Sequence, residues 1–301
     1  IRDSKPGRPV VFTIGDSTVK NEDKDDDSMW GWGSVIAELF DTTRVSVENH
    51  AKAGRSARTF LDEGRWNKVY DALRPGDFVL IQFGHNDGGD INTGKARGEL
   101  HGSGPESKVF KMEATGKYQV IYTYGWYLRK FVMDAREKGA IPVIVSHTPR
   151  NKWTDGKIES NRSSYGLWAR DVARQTGAYF IDLNSITGRK LQALGEGNTS
   201  PYFKKDHTHA SLAGARLNAR GVAEGLMENG CPLKDYLKSV KYEFTLDDKM
   251  GTYNDFDGYG YDLATAPDKD GSKPFFFSVR VPDGNYKVTL TLGDKRRKGN
   301  T

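Results

Sequence analysis

The feature that most constrains this chain is an alternation. Five short and nearly continuous apolar runs, PVVFTIG (9–15), RVSVENHA (44–51), DFVLIQFG (77–84), IPVIVSHT (141–148) and AYFIDLN (178–184), are separated by segments of helical periodicity. Runs this apolar suit strands covered on both faces, because a sheet with one wet face would alternate with polar residues. Segments 29–40, 63–74, 124–139, 161–177 and 211–229 read as helices, and the last ends on Asn229-Gly230, a helix-stop signal. In a chain of 301 residues, this order predicts an α/β fold with a parallel, doubly wound sheet and right-handed crossovers. Ligands of such sheets bind beyond the carboxyl ends of the strands.

Past residue 240 the helical period is lost. FFFSVRVPDGNYKVTLTLGD (275–294) is two alternating segments about Pro282-Asp283-Gly284-Asn285, a hairpin signal. A main domain over 1–235 and a β module over 241–301 are expected. Segment 87–120, rich in Gly and mixed charge, is too long for an ordinary connection and is expected to form a lid or rim on the ligand side of the sheet.

Several functional classes drop out on composition. No run approaches the roughly 18 apolar residues of a membrane-spanning helix, so no membrane partner is expected. The 45 basic and 40 acidic residues leave a net charge of +5, mostly interspersed. The run Lys295-Arg296-Arg297-Lys298 reads as a solvated end, and no nucleic-acid motif is present. Cys231 is the single cysteine, which rules out an intrachain disulfide and a Cys-based zinc site. The acidic run Asp23-Lys24-Asp25-Asp26-Asp27 fails as an EF-hand, which would need Gly and Glu where Ser28 and Ser34 stand. No metal and no cofactor are expected. The chain opens Ile1-Arg2-Asp3-Ser4, without Met or an apolar stretch, and is expected to be a mature or trimmed form.

Polar groups gather at three strand ends: Gly15-Asp16-Ser17-Thr18, Gly54-Arg55-Ser56 and Gly84-His85-Asn86-Asp87. Downstream, Asp206-His207-Thr208-His209 precedes the last helix. Each block alone fits a turn or a helix cap. Together they supply a hydroxyl nucleophile (Ser17), a base with an orienting carboxylate, and donors for a developing oxyanion. Asp206 and His209 stand three residues apart, a spacing that lets the carboxylate reach one imidazole nitrogen while the other faces Ser17. Gly54 can bring its N–H close to a substrate, and the Asn86 amide is a donor that does not titrate. On residue chemistry alone the choice between His207 and His209 as base stays open.

These four blocks, in this order, resemble the SGNH (GDSL-type) hydrolases. GRSARTF, TYGWYLRKFV (123–132), TPRN (148–151) and DHTHASLAGARLNA (206–219) are most similar to the rhamnogalacturonan acetylesterase-like branch. The resemblance spans roughly residues 9–229. It implies a flavodoxin-like three-layer sandwich with strand order 2-1-3-4-5, Ser17 as nucleophile, His209 as base and Asp206 as its partner. It also implies an oxyanion hole made of the Ser17 N–H, the Gly54 N–H and the Asn86 side chain. His207 and His85 are read as structural, His85 bracing its loop. The β module resembles the opening part of a galactose-binding-like sandwich.

The expected activity is that of a serine esterase removing acetyl groups from a plant cell-wall polysaccharide, pectic rhamnogalacturonan first, with xylan or other oligosaccharides as the alternative. Arg55, Arg58 and Arg150 are candidates for pairing with uronate carboxylates, and Trp153, in a polar loop beyond the fourth strand, for stacking on sugar. A polymeric substrate implies a secreted or periplasmic enzyme. Oligomeric state is not legible. Two other classes share parts of this pattern. A metal-dependent phosphoesterase shares Gly-Asp and His-x-His elements but needs an upstream Asp-x-His that this chain lacks. A non-catalytic carbohydrate-binding protein would not need the complete nucleophile, base and oxyanion set.

Overall fold

A computed structural model describes residues 7–20, 27, 29–239, 242–247, 249–268, 273–281 and 286–291. Along the chain, strands β1 (Val10–Gly15) and β2 (Ser46–Asn49) are followed by helices α1 (Ala57–Asp62) and α2 (Arg65–Ala72) and strand β3 (Phe78–Gln82). A hairpin, β4 (Ser107–Lys111) and β5 (Tyr118–Tyr122), leads into α3 (Tyr124–Glu137) and β6 (Ile141–Val145). A two-residue pair, β7 (Trp153–Thr154) and β8 (Lys157–Ile158), precedes α4 (Tyr165–Thr176), β9 (Tyr179–Ile181), α5 (Leu183–Leu194) and α6 (Leu212–Glu228). The antiparallel pair β10 (Tyr259–Asp262) and β11 (Phe276–Val279) closes the series.

The central sheet is parallel, in the order β2-β1-β3-β6-β9. Counting only its own strands along the chain, that order is 2-1-3-4-5, as expected. All six residues of β1 are buried, which is why the run shows no polar alternation. Phe12 and Ile14 face a core built with Phe60 of α1, Trp66 of α2, Phe131 of α3 and Val172 of α4. Val11 faces the opposite layer, with Trp32, Val222 and Leu226. The sheet's carboxyl ends therefore open along one edge, where the loops that follow β1, β2, β3 and β6 meet.

Four local features depart from the sequence expectation. Segment 29–40 is not one helix but two 3₁₀ turns, Trp32–Ser34 and Ile36–Leu39. Tertiary bonds take the backbone donors: Trp30 N–H goes to Ala210 O (2.9 Å), Trp32 N–H to Thr18 O (3.0 Å) and Gly33 N–H to Val19 O (2.9 Å). Helix α1 was hidden inside the GRSARTF motif; Ser56 and Thr59 close it with a capping box. The run 178–184 is only half strand, because the Asp182 side chain accepts from Ser185 N–H (3.2 Å) and starts α5 there. Finally, β11 pairs with β10, a partner the sequence did not suggest; the expected hairpin turn Pro282-Asp283-Gly284-Asn285 lies outside the described residues, as do Lys295-Arg296-Arg297-Lys298 and most of the acidic run at 23–27.

Candidate active site

Ser17 stands two residues past β1 in a turn closed by the Asp16 carbonyl, which accepts from Val19 N–H (3.2 Å) and Lys20 N–H (3.0 Å). Asp16 itself is fully buried, and its Oδ1 accepts from both Thr18 N–H and Thr18 Oγ1–H at 2.8 Å. Burial pushes its carboxyl up to about 6, against the pull of these Thr18 bonds. Beneath the turn, buried Gln82 donates to Thr18 Oγ1 (2.7 Å) and accepts from Trp32 Nε1 (2.7 Å). The turn is thus anchored from below, and Ser17 is left half-exposed on top.

The Ser17 Oγ lies 3.0 Å from His209 Nε2. His209 Nδ1 lies 2.7 Å from Asp206 Oδ2, and the other Asp206 oxygen accepts from Thr208 N–H and His209 N–H, each at 2.7 Å. Partial burial raises the Asp206 carboxyl, but the bonds from His209 and Thr208 outweigh it and hold the group down at about 2. Asp206 is therefore ionised at any neutral pH and fixes the imidazole tautomer that keeps Nε2 free to accept the Ser17 proton. The loop is pinned on both sides: Asn151 N–H donates to His207 O (2.7 Å), and Trp30 pairs with Ala210 across an isolated bridge. The structure thereby separates the two histidines that the sequence left open. His209 engages both neighbours, while the His207 residue is exposed.

The expected oxyanion donors converge on the same edge. Gly54 has φ +77°, a left-handed conformation that glycine adopts without strain. Among the described residues, neither the Ser17 nor the Gly54 N–H meets an acceptor, so both are free to donate. The Asn86 Nδ2 gives one hydrogen to Arg55 O (3.1 Å), and its Oδ1 accepts from Arg97 Nη1 (2.7 Å). Arg97 was not singled out in the sequence; no motif surrounds it in segment 87–120.

Below Asn86 sits a buried acidic pair. Asp87 accepts from Ala57 N–H (2.9 Å) and Gly84 N–H (2.7 Å), tying the first turn of α1 to the end of β3. Glu99 Oε1 accepts from Arg58 N–H (2.6 Å), whereas its buried Oε2 meets no donor among the described residues, and the Asp87 carboxyl is its charged neighbour. Burial, and then the Asp87 charge, push Glu99 well above the usual carboxylate range; burial pushes Asp87 up to about 6. One proton shared between the two carboxyls satisfies this geometry.

A cleft of about 600 Å³ opens beside Asn86, walled by His85, Lys95, Arg97, Arg150 and Tyr165. The four proposed substrate contacts fare differently. Arg150 lines this cleft, with Nη2 reaching His85 O at 3.4 Å. Arg55 pairs with Glu63 at 3.0 Å and with Ala53 O at 3.0 Å. Trp153 lies on β7, outside the cleft lining, and donates to Asn151 Oδ1 (2.7 Å). Arg58 is a correction: its side chain is buried and grips the carbonyls of Ile91 (3.0 Å) and Ala96, so it serves the loop and is not open to a ligand. His85 packs edge-on against His147 at 4.7 Å and meets Thr148 Oγ1 at 3.0 Å. Burial pushes His85 down to about 3, which keeps it neutral.

This fold and this cluster define a class, the serine hydrolases whose nucleophile follows the first strand of a flavodoxin-like sheet. Residues 13–217 match the GDSL-like Lipase/Acylhydrolase family, and the chain belongs to that family. A rhamnogalacturonan acetylesterase of Bacillus subtilis is 35% identical over 248 residues, covering 77% of this chain and 96% of its own. A rhamnogalacturonan acetylesterase of Emericella nidulans is 30% identical over 234 residues, covering 78% and 91%. Among solved structures, the B. subtilis YxiM protein aligns with a TM-score of 0.60 at 23% identity, covering 75% of this chain and 58% of that one. The acetylxylan esterase Axe2 of Geobacillus stearothermophilus aligns with a TM-score of 0.50 at 17% identity, covering 72% and 94%. These two likenesses concern the fold.

Proposed function

We propose that the protein is a carbohydrate acetylesterase that removes acetyl groups from pectic rhamnogalacturonan. The observation that carries this reading is the unbroken path Ser17 Oγ–His209 Nε2, His209 Nδ1–Asp206, set against three donors on one edge of the sheet. In the proposed reaction, Ser17 Oγ attacks the acetyl carbonyl carbon as its proton passes to His209 Nε2. The carbonyl oxygen becomes an oxyanion held by the N–H groups of Ser17 and Gly54 and the second Nδ2 hydrogen of Asn86. Collapse breaks the bond to the sugar oxygen, which takes the proton from His209 and departs. Water, deprotonated by the same imidazole, then releases acetate and restores Ser17.

The two relatives named for this activity and the polar cleft beside Asn86 support the polysaccharide assignment. Lys95, Arg97 and Arg150 stand against Asp90 and Glu159 in its lining, a small positive excess that suits an acidic sugar chain. Such a polymer lies outside the cell, so the working location is extracellular or periplasmic; no helix among the described residues is long and apolar enough to cross a membrane.

The test is acetate release from acetylated rhamnogalacturonan by the wild type and by Ser17→Ala. Release that falls to background in the variant is the expected result. Activity that survives the substitution would overturn the nucleophile. A wild type that cleaves acetylated xylan but not the pectic polymer would move the substrate to the neutral polysaccharides.

A further inference from the structure

The sequence offered Asn86 as an oxyanion donor but gave no reason for its amide to face the right way. A free carboxamide rotates, and only the Nδ2 end can donate. In this structure both ends are assigned by partners that cannot exchange roles. The Arg97 guanidinium only donates, so the atom 2.7 Å away is Oδ1; the Arg55 carbonyl only accepts, so the atom 3.1 Å away is Nδ2. The second Nδ2 hydrogen is left over. Arg97 also stands beside the other loop donor: a methyl group added at Gly54 would lie 3.6–3.8 Å from its guanidinium. Among the described residues no carboxylate pairs with Arg97, so its charge is not cancelled where the oxyanion forms.

The loop that presents Arg97 is fixed at many points. Buried Arg58 holds the carbonyls of Ile91 and Ala96. Gly98 N–H donates to Asp90 O (2.8 Å), Ala96 N–H to Thr93 O (2.8 Å) and Glu99 N–H to Asp87 O (3.1 Å). Ala96, immediately before Arg97, is held at φ +46°, a conformation an alanine takes only when its surroundings impose it. Gly98 approaches so closely that a Cβ there would lie 1.8 Å from Gly89 O. A surface arginine serving only solubility would need none of this.

We propose that Arg97 is a positioning residue of the oxyanion hole: it locks the Asn86 amide in its donating orientation and polarises the N–H that faces the reacting carbonyl. The proposal rests on the reading of Asn86 as an oxyanion donor. A cation on the amide oxygen draws electron density from nitrogen, and a charge-assisted bond strengthens the bond at the far end of the same group. Its effect grows as the oxyanion develops, so it belongs in kcat rather than in substrate binding.

The experiment compares Arg97→Ala, Arg97→Lys, Asn86→Ala and the double variant on a small neutral acetyl ester and on acetylated rhamnogalacturonan. Removing an oxyanion donor outright costs about 10²–10³ in turnover. Loss of its orientation and polarisation is expected to lower kcat on the neutral ester by about 10- to 100-fold, with KM within about threefold. Arg97→Lys, which keeps a cationic donor, should recover part of the loss. In the Asn86→Ala background, removing Arg97 should cost under about threefold more, since it acts through that amide. Loss confined to the acidic polymer would make Arg97 a substrate-carboxylate contact, and multiplying losses in the double variant would make it independent of Asn86; either overturns the proposal. An Asn86→Ala variant with near wild-type kcat would sink the oxyanion reading itself. Should Arg97→Ala fail to fold, Arg97→Met and Arg97→Lys carry the same comparison.

Discussion

The acidic pair under the site makes a stability prediction whose sign is fixed by its burial. Glu99 is held well above its ordinary value of 4.5 in the folded chain. A raised folded value means that the native state keeps a proton which the unfolded chain releases. The contribution is therefore complete below about 4.5 and is lost as pH rises toward the folded value. Each unit is worth about 1.36 kcal/mol, so three units between pH 4.5 and 7.5 give an upper bound of about 4 kcal/mol. Sharing of the proton with Asp87 spreads the effect over the pair, so about 4 kcal/mol bounds it from above. Glu99→Gln replaces the titrating O–H with a permanent N–H donor to Asp87 and keeps an oxygen for Arg58 N–H. The spare amide hydrogen of Gln adds a cost that does not change with pH, so the difference between the two proteins carries the test. Thermal unfolding of both at pH 4.5 and 7.5 should show the variant gaining stability relative to wild type at the higher pH, by no more than about 4 kcal/mol. At 2–4 °C per kcal/mol that bound corresponds to about 8–16 °C. Because Asn86 keeps its own partners, kcat on a neutral ester should stay within about threefold. Parallel Tm curves across this range would refute the shared proton and leave both carboxyls ionised.

Three further substitutions probe the remaining parts. Asp206→Asn keeps an oxygen for the Thr208 and His209 amides but turns an N–H toward His209 Nδ1, leaving Nε2 protonated and unable to accept from Ser17. Such a tautomer error costs about 10⁴ in a buried relay; with Asp206 at 38% side-chain exposure, kcat should fall by about 10²–10³ at unchanged KM, and a loss under fivefold would count against the relay. Gln82→Leu orphans Trp32 Nε1 at about 1–3 kcal/mol and removes the donor to Thr18 Oγ1, which keeps its bond to Asp16, at about 0.5–1.5 kcal/mol, so its urea midpoint should drop by the equivalent of about 2–4 kcal/mol. Arg150→Ala should raise KM for the acidic polymer while sparing a neutral ester; equal losses on both would remove its role in recognising carboxylates.

What could be read ahead of the structure was whatever a local pattern encodes. Buried strands show themselves because both faces of β1 meet helices, and Asp206 with His209 shows itself because three residues of separation suffice for contact. The role of Arg58 was illegible for the opposite reason. Its partners are backbone carbonyls at 91 and 96, which carry no side-chain signature, and an arginine in a motif at a strand end reads as a ligand contact until its burial is known. The 3₁₀ turns at 32–39 hid in the same way, since their competing acceptors are the carbonyls of Thr18, Val19 and Ala210.

The same logic explains how the site is built from unequal materials. The proposed nucleophile and its turn rest on the sheet through Asp16, Thr18 and Gln82, all buried and each hydrogen-bonded to a neighbour. The proposed base, His209, and its partner Asp206 stand on an outer loop where water reaches both, with side-chain exposures of 26% and 38%. A proton relay tolerates that exposure because Asp206 stays charged down to about pH 2 and its two amide bonds hold it in place. An oxyanion donor tolerates it less well, since a carboxamide that can turn over in water loses its direction. Asn86 therefore needs the structure that segment 87–99 supplies: a buried acidic pair beneath it and a guanidinium on its oxygen. Of the two forms expected for segment 87–120, residues 87–99 fit the rim rather than the lid, because opening and closing would break the bonds from Arg58, Gly98 and Glu99 that hold the loop beside Asn86.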